Sequence, residues 1–382
     1  MHYLTKFFDK NSQLAYFSVI YFIILVLWYI SFLINNNFEL IYNTTLDNYY
    51  FKPYFSLYIF DLLLNIDLLP ISSVLNILII PFSIFLILFK IYRCFIDSKY
   101  AFLFSLISLS IFNETNFRDF LYHIITFDFN IFLVNDFPLI FKLPFPSLSV
   151  FIFLAIFYMI LKLTKFNNKK FVAITIMSSF YFYINALDSL FLLLLWFFYI
   201  ITVLIKIKQI KFLFLYLFIT LIILIPGLSF ATINQSDIYL DNNLYNLILY
   251  NFLPLILSLT FFYIKRIDLY EVWFKFKLVY LFIFSEILIN AIVYLNLFNI
   301  DLSVLNRQVF QFVIHLLYYT PIIYYGTIQS RNYRFGTESN NLSKKLSNFF
   351  VKLLVNYKSK IFYLLVILLF LYNFPYNLFY GA

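Results

Sequence analysis

The sequence predicts an all-α fold, a polytopic bundle of about eleven transmembrane helices with a cytoplasmic N-terminus. Three observations lead to this prediction: the composition, the spacing of the apolar runs, and the distribution of Lys and Arg along the chain. Apolar residues make up 64% of the 382 residues and charged residues only 12%. A soluble domain carries about 25% charged residues. We therefore expect lipid, rather than water, to surround most of the chain.

The apolar runs have the spacing of successive membrane spans, since most approach the ~20 residues that cross a hydrocarbon core of ~30 Å. They fall at 13–34, 71–89, 100–112, 148–161, 171–187, 189–205, 212–230, 246–264, 278–298, 308–328 and 361–379. The runs at 100–112, 148–161 and 171–187 are short, which leaves ten to twelve spans open. No small-residue cleavage site follows the first run, and this predicts an uncleaved first span.

Basic residues set the predicted orientation, because Lys and Arg concentrate in cytoplasmic loops. With the N-terminus inside and eleven alternating spans, all but four of the 27 Lys and Arg residues fall inside. The four outside are Lys52, Arg118, Lys142 and Arg307. Most of the 18 acidic residues fall on the outer side. This segregation accounts for the net charge of +9 without a nucleic-acid partner.

The long loops divide the chain into two parts of one continuous membrane domain. Residues 1–210 contain the two long outer loops, 35–70 and 113–147. Residues 211–382 have short outer loops and a basic cytoplasmic segment, 331–360, whose pattern is typical of a helix lying on the membrane surface. No internal repeat is visible in the sequence.

The first outer loop is acidic and is predicted to contain a surface helix. At 100° per residue Tyr54, Tyr58 and Asp61 share one face, and apolar side chains occupy the opposite face. Glu39 and Asp47 lie upstream of this helix. A carboxylate held there is suited to act as a general base toward an acceptor hydroxyl, or to hold a divalent cation with a diphosphate. The alternative is that these acids are solvated loop residues.

The second outer loop groups charged side chains close to the predicted membrane surface. They are Arg118, Asp119, His123, Asp128, Asp136 and Lys142. A cation at this level suits a lipid phosphate, and the Arg guanidinium can bind two phosphate oxygens at once. The alternative is equally open: Arg118 pairs with a neighbouring carboxylate, and Lys142 extends its ammonium to the headgroups.

Three further polar residues fall at or near membrane depth, where ionisable groups are costly and often functional. Asp188 lies at the tight turn between two runs, whereas Glu286 and His315 lie within runs. For Glu286 a structural role is slightly favoured, since Asn and Tyr partners are abundant. The single cysteine, Cys94, excludes an internal disulfide. Phosphate-binding loops, dinucleotide fingerprints, nucleophile elbows and His/Cys metal clusters are all missing.

The layout resembles the GT-C superfamily of polytopic glycosyltransferases. The resemblance covers residues 1–210: one span, an acidic outer loop with a surface helix, a span ending in FKIYRCF, and a second long outer loop. LPFPSLSVFIFLAIFYMIL, followed by KFNNKK and SSFYFYINALDS, is similar to bacterial members. The resemblance implies a polyprenyl-phosphate sugar donor and a loop-one catalytic base, best matched by Asp47 in DNYYFKPY and then by Glu39. The paired acids of many members are absent.

The sequence therefore predicts a multi-pass cell-membrane glycosyltransferase that transfers a sugar to a glycan or lipid acceptor on the non-cytoplasmic face. Asp47 and Glu39 are the candidate catalytic residues, and Arg118, Lys142, Asp119, His123 and Asp61 the candidate substrate-binding residues. An O-antigen-type polymerase or ligase is an alternative, although such enzymes usually carry their large outer loops later in the chain. A transporter or lipid-linked glycan flippase is a second alternative, although inverted repeats and paired helix breaks are missing.

Overall fold

The computed structural model describes residues 12–35, 74–111, 147–163, 168–207, 210–230, 253–294, 315–333 and 360–372. These residues are almost entirely helical and contain no strand, so the all-α prediction is confirmed for them. Each of the eleven apolar runs overlaps a described α-helix, including the three short runs. Within the described residues, none of the helices meets both the length and the apolarity required of a membrane span.

The helices are numbered here in chain order. They are α1 (Ser12–Asn35), α2 (Ile80–Arg93), α3 (Ser98–Ile111), α4 (Ser147–Leu161), α5 (Asn168–Phe180), α6 (Ala186–Ile207), α7 (Lys211–Phe230), α8 (Leu253–Lys265), α9 (Leu269–Tyr294), α10 (Thr320–Tyr333) and α11 (Lys360–Tyr372). A π-helical turn, Leu75–Ile79, precedes α2, and 3-10 turns occupy Tyr181–Tyr183 and His315–Tyr319.

The first helices pack through aromatic side chains. Phe85 of α2 contacts Tyr21 of α1 with 5.1 Å between ring centroids, and Phe102 of α3 at 5.7 Å. The Tyr92 hydroxyl of α2 hydrogen-bonds the Ser108 hydroxyl of α3 across 2.7 Å. Because Tyr92 is buried, this bond satisfies a polar group that would otherwise be costly to remove from water. The hairpin of α2 and α3 is thereby fixed in register.

Polar contacts join α5, α6 and α7 inside the bundle. The Trp196 indole N–H donates to the Thr175 hydroxyl at 2.9 Å, which links α6 to α5. The Tyr216 hydroxyl of α7 donates to the Leu193 carbonyl of α6, also at 2.9 Å. All four residues are buried. Hydrogen bonds between helices therefore supplement the apolar packing of this part of the core.

Helix α9 is kinked at Phe276, whose φ of −107° and ψ of 20° are not helical. The Phe276 ring is fully buried and contacts Phe95 of the turn between α2 and α3 at 5.8 Å. It also contacts Tyr324 and Tyr325 of α10, at 5.5 Å and 6.1 Å. The kink thus coincides with an aromatic cluster that joins three separate elements.

Candidate functional site

The described contacts define a basic end of the bundle. At this end Lys162, just after α4, contacts the Cys94 thiol, just after α2. The Tyr199 hydroxyl of α6 donates to the Leu163 carbonyl at 3.3 Å, and the Lys277 ammonium of α9 lies 4.5 Å from the centre of the Tyr199 ring. The helix ends that the Lys and Arg distribution predicts to be cytoplasmic therefore lie close together.

The opposite end of the bundle is where the two long sequence loops connect to helices. There the first turn of α4 meets the 3-10 turn Tyr181–Tyr183, because the Tyr181 hydroxyl donates to the Ser149 carbonyl at 2.9 Å. Since α2 and α4 run parallel, with their C-terminal ends together, the N-terminal ends of both helices point away from the basic end. Segments 36–73 and 112–146 each lead into one of these two N-terminal ends.

All seven predicted site residues lie outside the described residues. Glu39, Asp47 and Asp61 fall in segment 36–73, whereas Arg118, Asp119, His123 and Lys142 fall in segment 112–146. Their roles therefore stay predictions. What the fold adds is that both segments join helices at the end of the bundle that carries Asp188.

Asp188 is the centre of a buried polar cluster at this end, and only 1% of its surface is exposed. Its carboxylate oxygen Oδ2 accepts a hydrogen bond from the Asn185 amide nitrogen at 2.7 Å and one from the Tyr181 hydroxyl at 3.3 Å. The Asp188 backbone N–H in turn donates to Asn185 Oδ1 at 3.2 Å. Asn185 is therefore the N-cap of α6, and the Asp188 carboxylate in turn binds the side-chain amide of Asn185.

Burial outweighs the hydrogen bond from Tyr181 and raises the pKa of the Asp188 carboxyl, at the turn between two predicted spans, to about 8. A carboxyl with such a pKa exchanges its proton near neutral pH. Sequence reasoning marked Asp188 as a functional candidate but missed its partners Asn185 and Tyr181. The signal was present, since Asn-x-x-Asp at the start of an apolar run is the spacing of a helix cap.

The polar cluster around Asp188 continues to α5 through serine residues. The Ser189 hydroxyl of α6 donates to the Ser178 carbonyl at 2.8 Å. The Ser178 hydroxyl itself is buried and has no hydrogen-bond partner among the described residues. A partner for this oxygen is expected from an ordered water or from residues beyond the described ranges, because buried hydroxyls are rarely unpaired.

The two remaining polar candidates within the apolar runs are Glu286 and His315. Glu286 of α9 is 2% exposed and lies one position after buried Ser285, whose hydroxyl donates to the Leu281 carbonyl. His315 begins a 3-10 turn. No three His, Cys, Asp or Glu side chains come close enough to hold a metal ion in the part of the chain that the structure describes.

Comparison with known proteins assigns no family. No protein-family model, no curated protein and no solved structure matches this chain.

Proposed function

We propose that this chain is an integral membrane glycosyltransferase that transfers a sugar from a polyprenyl-phosphate carrier to a glycan or lipid acceptor on the non-cytoplasmic face. The proposal has two parts. The membrane part is supported by the polarity of the helix surfaces. The catalytic part is supported by the resemblance of residues 1–210 and by the positions at which the acidic loops connect.

Helix α7 supports the membrane part of the proposal. Its exposed face is apolar and its buried face contains polar groups, which is the reverse of a helix on a soluble protein. Its outward face consists of large apolar side chains at helical spacing: Phe214, Phe218, Leu221, Ile222 and Ile225 are all more than half exposed. Its inward face contains the hydroxyls of Tyr216 and Thr220, both buried. An apolar stripe outside and hydroxyls inside are what lipid, as the surrounding solvent, would select.

Helix α5 supports the same interpretation. Its buried face carries Thr175, Ser178 and Ser179, whereas Met177 and Phe180 are exposed. The Thr175 and Ser179 hydroxyls donate to backbone carbonyls four residues earlier, at 2.9 Å and 2.8 Å. Such a bond gives a buried hydroxyl a partner within its own helix, so the hydroxyl needs no water. The neighbouring helices α5 and α7 thus both bury hydroxyl groups and expose apolar side chains.

The catalytic part assigns general-base chemistry to Asp47, with Glu39 as the second candidate. Both segments that contain predicted site residues connect to helices at the Asp188 end, which favours one shared site over two separate ones. In this arrangement Asp47 accepts the proton of the acceptor hydroxyl. Arg118 and Lys142 bind the carrier phosphate. A divalent cation, if required, would be held by the carboxylates of the first loop.

Sugar transfer in membranes tests the catalytic part directly. Loss of a general base costs about 10²–10⁴ in rate, so Asp47→Asn should abolish transfer while membrane content and carrier binding stay unchanged. Asp67→Asn, in the same loop, is the matched control and should retain activity. Full activity in both Asp47→Asn and Glu39→Gln would refute the mechanism and favour a transporter.

A further inference from the structure

A single hydroxyl, that of Tyr181, lies between acceptors on two helices. Tyr181 Oη is 2.9 Å from the Ser149 carbonyl oxygen of α4 and 3.3 Å from Oδ2 of Asp188 in α6. A phenol has only one hydrogen to donate. Tyr181 and Asp188 are both buried, so bulk water does not supply a second donor. The two acceptors therefore compete for one hydrogen.

Protonation of Asp188 removes this competition. The neutral carboxyl carries its own hydrogen, which Oδ2 donates to Tyr181 Oη while it still accepts the Asn185 amide N–H at 2.7 Å. Tyr181 then donates its hydrogen to the Ser149 carbonyl, which is the shorter of its two contacts. In this state each hydrogen of the chain from Asp188 through Tyr181 to Ser149 has one acceptor.

Ionisation of Asp188 changes the balance between the two acceptors. A hydrogen bond to an ionised acceptor is roughly twice as strong as one to a neutral acceptor. The Tyr181 hydroxyl therefore turns from the Ser149 carbonyl to the carboxylate, and the bond from the 3-10 turn to α4 is lost. Burial raises the pKa of Asp188 to about 8, so both forms occur close to neutral pH.

We propose that Asp188, Tyr181 and Ser149 form a proton-dependent latch on the start of α4. The latch is closed while Asp188 is protonated, because Tyr181 then binds the Ser149 carbonyl, and it opens when Asp188 releases its proton to the solvent. Ser149 is the third residue of α4, directly after segment 112–146. The latch thus controls how firmly the helix start that follows this segment is held. The inference depends on neither part of the proposed function.

Other titratable groups on the elements around Asp188 are few among the described residues. On α4, α5, α6 and α7 they lie toward the basic end of the bundle: Tyr158, Lys169, Lys170, Tyr199, Lys211 and Tyr216. The Tyr183 hydroxyl, two residues after Tyr181, donates instead to a backbone carbonyl of α7 at 2.7 Å. Glu286 is a buried carboxyl of α9, which packs against α6. Tyr183 and Glu286 are therefore the groups that control variants must test.

Hydrogen–deuterium exchange of the purified full-length protein in detergent tests the latch. The backbone amides of residues 151–155 in α4 are followed at about pH 6 and about pH 9, on either side of the Asp188 pKa, and corrected for the pH dependence of intrinsic exchange. Protection in the wild type should be about fivefold lower at the higher pH, because one hydrogen bond contributes a factor of about that size.

Two variants should shift protection in opposite directions. Asp188→Asn carries no charge at either pH, so Tyr181 should keep its bond to Ser149 and protection should stay high at both. Tyr181→Phe removes the donor, so protection should be low at both. Tyr183→Phe and Glu286→Gln are the matched controls and should keep the pH dependence of the wild type.

Three results would each overturn the latch. They are equal protection of the wild type at both pH values, a pH dependence that survives in Asp188→Asn, and wild-type protection of Tyr181→Phe at the lower pH. Loss of the pH dependence in Glu286→Gln alone would assign it to the carboxyl of α9 and would also overturn the proposal. Circular dichroism checks that each variant is folded. If Asp188→Asn does not fold, the comparison of Tyr181→Phe with Tyr183→Phe decides.

Discussion

The Trp196 indole N–H donates to the Thr175 hydroxyl at 2.9 Å, between two fully buried residues of adjacent helices. Thr175→Val keeps the shape of the side chain but removes the acceptor. We expect a loss of about 1 kcal/mol in the free energy of unfolding, because the indole N–H is then buried without a partner. Equilibrium unfolding in mixed detergent micelles measures this change.

Thr202→Val is the matched control for this prediction. The Thr202 hydroxyl donates only to the Tyr199 carbonyl of its own helix and is partly buried. Its replacement should change the free energy of unfolding by less than about half as much. A larger effect at Thr202 than at Thr175 would contradict the importance of the bond between helices.

The aromatic cluster at the α9 kink should contribute strongly to stability. Phe276 is completely buried against Phe95, Tyr324 and Tyr325, so Phe276→Ala should lower the free energy of unfolding by about 3–5 kcal/mol. Phe274, two residues earlier in the same helix, is 66% exposed and makes a matched control. Phe274→Ala should cost about 0.5 kcal/mol or less. Similar losses in the two variants would mean that the cluster does not hold these elements together.

The Asp188 carboxyl should make stability depend on pH. Its pKa is about 8 in the folded chain and 3.8 for an ordinary aspartate, so the folded chain binds the proton more tightly. The contribution of Asp188 to the free energy of unfolding should therefore be constant below about pH 4 and fall as pH rises from about 4 to about 8. Asp188→Asn should remove this part of the pH dependence in denaturant titrations at several pH values. An unchanged profile in the variant would assign the dependence to other groups.

Arg118 and Lys142 are predicted to bind the carrier phosphate. Loss of one charge-assisted contact is worth about 1.5–3 kcal/mol, or roughly 10- to 150-fold in affinity. Arg118→Gln and Lys142→Gln should each weaken the binding of a polyprenyl phosphate by that amount, as measured by fluorescence titration in detergent. Arg307→Gln, at another basic residue that is predicted to lie outside, should have no effect. Equal binding in all three variants would leave Arg118 and Lys142 without a role in phosphate binding.

The apolar runs of the sequence overlap the described helices in order, because apolar runs separated by charged clusters are a direct consequence of which residues are buried. The turn predicted at Asp188, between the runs 171–187 and 189–205, lies several residues earlier, since the 3-10 turn Tyr181–Tyr183 falls inside the first run and α6 begins at Ala186. Boundaries were less accurate where charged residues are helical. Helix α9 begins at Leu269, nine residues before the predicted run at 278. The Lys275 and Lys277 ammonium groups lie over the Tyr324 and Tyr199 rings, 3.3 Å and 4.5 Å from the ring centres, so these charges do not end the helix.

The site could be predicted less well than the helices from the sequence. Asp188 could be singled out because an acid between two apolar runs is conspicuous, but its hydrogen bond to Tyr181 depends on how the 3-10 turn folds. The contact between the Phe171 and Phe212 rings, 5.1 Å between centroids, depends on the packing of two helices that are separated in sequence by α6. No pattern of single residues reports such a pairing, because it is a property of helix packing rather than of local sequence.

Labelling of Cys94 is the most direct test of the central claim that the chain lies in a membrane with its basic end in the cytoplasm. Cys94 is the only cysteine, and it is exposed in the turn between α2 and α3. A membrane-impermeant maleimide should label the protein in inside-out vesicles and leave it unlabelled in right-side-out vesicles until detergent is added. Labelling of intact right-side-out vesicles, or recovery of the protein in the soluble fraction, would contradict the account.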